Sequence, residues 1–263
     1  MRIGIVQSSP EFGAVRANLA SVTEAMQPQQ ADLWVLPELF ATGYQFLSPE
    51  ETRALAEPVP DGPTTRVLLA FAERAQCYIV AGLPESDRGH VYNASVLIGP
   101  TGLLARYRKV HLFYEEKLNF SPGDLPFAVT DIGSARVGMM ICFDHLFPES
   151  ARSLALQGAD VIAHPANLVL PDLAQRTMSI RALENGVFTA TANRVGTESR
   201  GAESLTYTGQ SQVIAPSGEI LVRLDKTSVD VAVVEIDLES ARDKAITKHN
   251  DKLEDRRPGL YTA

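Results

Sequence analysis

Val137-Gly138-Met139-Met140-Ile141-Cys142-Phe143-Asp144 carries an apolar, strand-like run straight into a thiol, with Pro148 shortly beyond it. Strand ends in mixed α/β proteins are where reactive groups are usually presented. A lone cysteine is more often a small hydrophobe packed in a core, so the thiol needs partners before it implies chemistry.

Outward from this run, Val161–Ala163 reads as the next strand, and the two flank a helix around Pro148–Gln157. Towards the N-terminus the same alternation recurs. Ile3–Val6 reads as a strand, Val15–Met26 as a helix, Leu33–Leu36 as a strand, Thr64–Gln76 as a helix and Tyr78–Ala81 as a strand. The helix at 64–76 presents Val67, Leu68, Phe71 and Ala75 as its apolar face, after the turn Asp61-Gly62-Pro63. Gly99-Pro100-Thr101-Gly102 joins Asn93–Ile98 to Leu103–Tyr107 as a hairpin. Pro216-Ser217-Gly218-Glu219 does the same for Gln212–Ala215 and Ile220–Leu224. Leu173–Asn185 reads as a helix and Val229–Ile236 as a strand. Helices interleaved with hairpins and single strands predict an α/β protein with mixed sheets, two of them stacked and covered by helices.

The chain has 263 residues, 45% of them hydrophobic, enough for a substantial core without disulfides. Linkers, repeats and low-complexity tracts are missing, so residues 1–263 read as one domain. The formal net charge of −8 argues against a nucleic-acid or anionic-membrane partner. No segment approaches the ~20 apolar residues of a membrane span. The start, Met1-Arg2-Ile3-Gly4-Ile5-Val6-Gln7, turns polar too soon for a signal peptide. Cys77 and Cys142 form no disulfide framework, which fits a reducing, cytoplasmic location.

Partners for the thiol come from two other strand ends. Trp34-Val35-Leu36-Pro37-Glu38-Leu39-Phe40 places Glu38 among apolar residues, where a raised pKa suits proton transfer. The same glutamate could instead be satisfied by amides at a helix start. Arg106-Tyr107-Arg108-Lys109-Val110-His111 follows a strand with a cluster of cations. Lys109 there could stabilise a thiolate or an oxyanion, or the stretch could be an exposed basic loop. Glu116 lies in Tyr114–Asp124, which reads as a long polar loop. His145, three residues after Cys142, could be a neighbour, but no papain-like or caspase-like cysteine signature surrounds the thiol. The five histidines lack ligand spacing, and Cys-x-x-Cys, Gly-x-Gly-x-x-Gly and phosphate-loop motifs are absent. The sequence calls for no metal and no cofactor.

Leu36-Pro37-Glu38-Leu39-Phe40, Tyr107-Arg108-Lys109-Val110-His111-Leu112 and Ile141-Cys142-Phe143-Asp144-His145 occur in that order. Together they resemble the Glu, Lys and Cys motifs of the nitrilase superfamily of carbon–nitrogen hydrolases. Arg181-Ala182-Leu183-Glu184-Asn185, Gly209-Gln210-Ser211 and Pro216–Leu221 extend the likeness along essentially the whole chain. It is strongest to short, thermophile-type aliphatic nitrilases of the superfamily.

The resemblance implies a four-layer α-β-β-α sandwich. It assigns Cys142 as nucleophile, Glu38 as general base and acid, Lys109 as oxyanion stabiliser and Glu116 as a second glutamate that positions substrate. The backbone N–H of Phe143 becomes the second oxyanion donor. Tyr44 is expected at the entrance, and His145 and Asn167 are expected to shape the substrate pocket. The substrate would be a small nitrile or amide, converted to acid and ammonia through a thioester. An amidase or N-carbamoyl-amide hydrolase is the alternative, since Cys142-Phe143-Asp144 departs from the Cys-Trp-Glu of many long nitrilases. An acyltransferase and a non-catalytic binding protein are further ones. The resemblance also implies a homodimer paired through the helices near 148–157 and 175–185, with the tail from about residue 245 to 263 crossing the partner.

Overall fold

The computed structural model describes residues 1–261. One six-stranded sheet takes β1 (Arg2–Gln7), β2 (Leu33–Val35), β3 (Tyr78–Asp87), β4 (His90–Gly99) and β5 (Gly102–Arg108) in sequence order. The second takes β6 (Val129–Asp131), β7 (Arg136–Met139), β8 (Val161–Pro165) and β9 (Phe188–Ala192). After a small outlying hairpin, β10 (Thr197–Arg200) and β11 (Glu203–Thr206), it is completed by β12 (Gln212–Ile214) and β13 (Ile220–Arg223). β14 (Asp230–Glu235) returns to pair with β1. The tail forms a two-stranded hairpin of its own, β15 (Ala245–Thr247) and β16 (Asn250–Asp251). The final two residues of the expected partner-crossing tail lie outside the described residues.

Both sheets repeat one pairing scheme. An antiparallel edge strand, β14 or β6, is followed by three parallel strands and then by two antiparallel ones. Period-two alternation sends Ile3, Ile5, Leu33 and Val35 into a shared core with Val137, Met139, Val161 and Ala190. The opposite face, with Trp34, Ile79 and Ala81, packs on helices α1 (Val15–Met26) and α3 (Pro63–Ala75), which the short α2 (Pro49–Leu55) separates in sequence. Met140 and Ile162 pack on α5 (Pro148–Leu156) and α6 (Leu173–Asn185). The result is the α-β-β-α layering expected.

Local chemistry sets the helix ends. Pro63 opens α3 and the buried Glu57 carboxylate accepts from the Thr64 and Thr65 amides, while Gly186 closes α6 in the left-handed region. The buried stripe of α3 differs from the one expected. Thr64, Thr65, Leu68, Phe71 and Ala72 are buried, and Val67 and Ala75 are exposed. Leu68, Phe71 and Ala72 join the core on the sheet, whereas the threonines are buried against the Glu57 carboxylate, to which Thr65 Oγ1 also donates at 2.9 Å. The hairpin between β3 and β4, unexpected from sequence, turns at Arg88-Gly89 with both φ positive. Arginine is not a usual residue at such a position, which hid the turn. Among the described residues, no helix is long and apolar enough to cross a membrane.

Candidate active site

Strand direction brings the reactive residues together. β1, β2, β3 and β5 run one way, as do β7, β8 and β9. A parallel bridge between Ser8 and Arg194 joins the exits of β1 and β9 across the two sheets. All these C-terminal ends therefore meet at one edge of the sandwich. Glu38 follows β2, Lys109 follows β5, Cys142 follows β7 and Asn167 follows β8.

The side chains at this edge form one buried polar cluster. Lys109 Nζ donates to Glu38 Oε1 and to Glu116 Oε1, each at 2.7 Å. Asn93 Nδ2, from β4, donates to Glu38 Oε1 at 2.7 Å. Asn167 Nδ2 donates to the Glu38 carbonyl at 2.8 Å, tying one sheet to the other. Tyr44 OH donates to Glu116 Oε1 at 2.7 Å, and the Phe113 amide donates to Glu116 Oε2 at 3.1 Å. Glu116 opens a short helix, α4 (Glu116–Asn119), within the stretch read from sequence as a polar loop. Tyr44, expected at the entrance, thus reaches into the cluster.

Cys142 heads a 3₁₀ turn over Cys142–Leu146 with a φ of +42°, a strained conformation for a residue with a side chain. Leu39, directly after Glu38, is also left-handed. The first N–H groups of a 3₁₀ turn have no acceptor within it, so the Phe143 amide is left free beside the sulfur. Asp144 locks the turn. Its Oδ2 accepts from the Ile141 amide and from Tyr107 OH, both at 2.8 Å, and its Oδ1 pairs with His111 Nδ1 at 2.7 Å. Tyr107 and His111 bracket Lys109, so Asp144 fixes the thiol segment against the lysine segment. His164 Nε2 meets the Cys142 carbonyl at 2.9 Å.

Electrostatics follow from burial. Burial pushes the Cys142 thiol well up, with Glu38 adding to it and Lys109 opposing it. Burial also raises the Glu116 carboxyl, more than Lys109 lowers it. For Lys109, burial works against the charge, but the Glu116 and Glu38 carboxylates outweigh it and hold the ammonium above its ordinary value. A protonated thiol, a carboxylate and a locked ammonium can move a proton and stabilise an anion without further groups. Among the described residues, no cluster of His, Cys, Asp and Glu is placed to hold a metal ion.

Two close approaches depend on glycine. A Cβ on Gly82 of β3 would sit 2.5 Å from the Glu38 Cα. One on Gly123 would sit 2.1 Å from the Arg108 carbonyl oxygen. Arg108 itself is buried, gripping Glu85, Asp87 and Asp124 and lying over Tyr92, which anchors the start of the lysine segment.

A narrow cleft opens over Cys142. Phe143, His145 and Asn167, expected at the pocket, line it. Asn93, Phe113 and the Leu168-Val169-Leu170 loop were not anticipated. Asn93 heads a run that reads simply as a strand, and the loop looks like apolar core until its placement is known.

The family model of the carbon-nitrogen hydrolases matches residues 2–245. A nitrilase of Pyrococcus abyssi is 48% identical over 264 residues, covering 99% of each chain. An (R)-stereoselective amidase of a Pseudomonas species is 34% identical, covering 98% of this chain and 92% of that one. Among solved structures, a mutant of the amidase from Nesterenkonia sp. AN1, with acrylamide added at its active-site cysteine, superposes with a TM-score of 0.81. It is 28% identical and covers 99% of this chain and 98% of its own. The chain belongs to the carbon–nitrogen hydrolase family of the nitrilase superfamily and is a hydrolase of carbon–nitrogen bonds.

Proposed function

We propose that this protein converts small aliphatic nitriles or amides to carboxylic acid and ammonia through a thioester on Cys142. The observation that carries the reading is the buried Glu38–Lys109–Glu116 cluster beside the thiol. The thiol is protonated at neutral pH, so attack requires a base at the moment the bond forms. Glu38 takes that proton as sulfur bonds to the substrate carbon. Charge gathering on the substrate oxygen or nitrogen meets Lys109 and the Phe143 amide.

With an amide, Glu38 returns the proton to nitrogen, the carbon–nitrogen bond breaks, ammonia leaves and the thioester remains. With a nitrile, the first adduct is a thioimidate. It adds water, and ammonia departs to give the same thioester. On either route Glu38 then takes a proton from a water (the first used with an amide, the second with a nitrile), whose oxygen attacks the thioester carbon. The acid is released and the sulfur recovers its proton. Glu116, held by Tyr44 and the Phe113 amide, keeps Lys109 aimed at the site. The adduct on the active-site cysteine of the Nesterenkonia amidase supports the choice of nucleophile.

The amidase relatives favour a second reading in which amides alone are substrates. Ammonia release over matched nitriles, primary amides and N-carbamoyl compounds separates the two, with Cys142→Ala as control. Both readings require that this variant lose turnover; undiminished ammonia release would falsify them. The dimer implied by resemblance also enters as a proposal. Leu156 of α5 with Ile180 and Leu183 of α6 are exposed apolar residues on the outer layer, as an isologous pairing there needs.

A further inference from the structure

The cleft over Cys142 is walled by Phe113, Phe143, Leu168, Val169, Leu170 and Leu173, with Ala174 at its side. Its polar side chains besides the thiol are Asn167 and His145. Asn167 Nδ2 is committed to the Glu38 carbonyl, and its Oδ1, which has no partner, is a neutral acceptor and not a counter-ion. His145 Nδ1 is committed to Thr177 Oγ1 at 2.7 Å, and burial pulls the imidazole down to about 3, so it is neutral at any working pH. Lys109 pairs with both Glu38 and Glu116, and the one Glu38 oxygen without a hydrogen-bond partner, Oε2, is the oxygen left for the thiol proton rather than for a substrate charge. Asp172 and Arg176, the charged residues flanking Leu173 in sequence, are solvent-exposed and outside the lining.

A charge carried into such a cleft loses water and gains no counter-ion, whereas an apolar chain gains from the same walls. We infer that the site selects substrates whose acyl group is short, uncharged and apolar, and that Leu168, Val169, Leu170 and Leu173 determine this choice. Amides or nitriles bearing a nearby carboxylate or ammonium are refused, including short N-carbamoyl amino acids. The inference rests on the hydrolase reading above and narrows it from small substrates to neutral ones.

Three near-isosteric amides test it. Butyramide has a terminal methyl group. Succinamate replaces it with a carboxylate, and 3-aminopropanamide replaces it with an ammonium. The expected kcat/KM for butyramide exceeds that of each charged compound by at least about a hundredfold. Titration of Cys142→Ala with the same three compounds, followed by NMR, reads the cleft without the chemistry, and only butyramide should bind measurably. Leu170 is 48% exposed, so Leu170→Arg should fold normally. That variant should raise kcat/KM for succinamate at least about tenfold while leaving 3-aminopropanamide refused. Charged and neutral amides turned over within tenfold of each other, or bound without preference by Cys142→Ala, would overturn the inference. Preferential binding of butyramide with no ammonia from any compound would uphold the cleft's selectivity and count instead against the hydrolase reading.

Discussion

Lys109 ties the buried cluster together. It is 1% exposed and shared by two carboxylates that would otherwise face each other out of water. Replacing it by alanine leaves sheet packing untouched but strands two buried carboxylates, so the protein should still fold with stability lowered by about 3–5 kcal/mol and turnover lowered by about 10²–10³. Circular dichroism and ammonia release on one sample check this, and outright unfolding would point to a structural role. Asp144 acts through others. Asp144→Asn keeps the shape but gives up charge-assisted acceptance from Ile141, Tyr107 and His111. It should cost about 1–3 kcal/mol of stability and lower kcat more than it raises KM, since the thiol moves relative to Lys109. Urea melts and steady-state kinetics give both values.

Glu38, Lys109 and Cys142 were legible because each stands in a short motif at the exit of an apolar strand. Asn93 and the Asp144–Tyr107–His111 lock were not, because their meaning lies in partners 37 and 55 residues away that only the folded sheets bring near. Asp144 in particular reads from sequence as a branch marker beside the thiol, and its fastening role appears only with Tyr107 in place.

Among the elements, the two glycines matter more than their composition suggests. Gly82→Ala inserts a methyl group against the Glu38 backbone, and Gly123→Ala inserts one against the Arg108 carbonyl. Neither obstacle is a flexible side-chain end, so each change should displace a site residue. We expect about 1–3 kcal/mol of destabilisation and at least tenfold lower kcat/KM for either variant. Wild-type activity in Gly82→Ala would contradict the tight seating of Glu38 on β3. The helix α1 and the β4–β5 hairpin were readable because apolar spacing and turn residues agree. The short helix α4 and the Cys142 turn were not, because tertiary hydrogen bonds to Glu116 and Asp144 hold them rather than local propensity.

Across the whole molecule, the two sheets deliver their reactive ends to one edge of the sandwich through the same pairing scheme, with a layer of buried polar groups gathered at that edge. That layer makes the fold acid-sensitive. Burial holds His164 down to about 4 and His145 to about 3, against an ordinary value near 6.5. As pH falls below about 6.5, the unfolded chain takes up these protons before the folded one can. Stability present at neutral pH is therefore lost progressively towards pH 4, at roughly 1.4 kcal/mol per pH unit for each fully differing histidine. Urea melts at pH 7, 5.5 and 4.5 should show this slope, and His164→Gln should reduce it. An unchanged slope would mean that other groups carry the acid response.

On the outer layer, sedimentation of the wild type should report a dimer. Ile180→Glu combined with Leu183→Glu should report a monomer with an intact circular dichroism spectrum. A monomeric wild type would contradict pairing through α5 and α6.

The central claim is that Cys142 carries the acyl group. Acid quenching during steady turnover of butyramide, followed by peptide mass spectrometry, reads it most directly. The account predicts a butyryl group on the peptide containing Cys142, removable by hydroxylamine and missing from Cys142→Ala. A butyryl group on any other residue, or one that survives in Cys142→Ala with turnover intact, would contradict it.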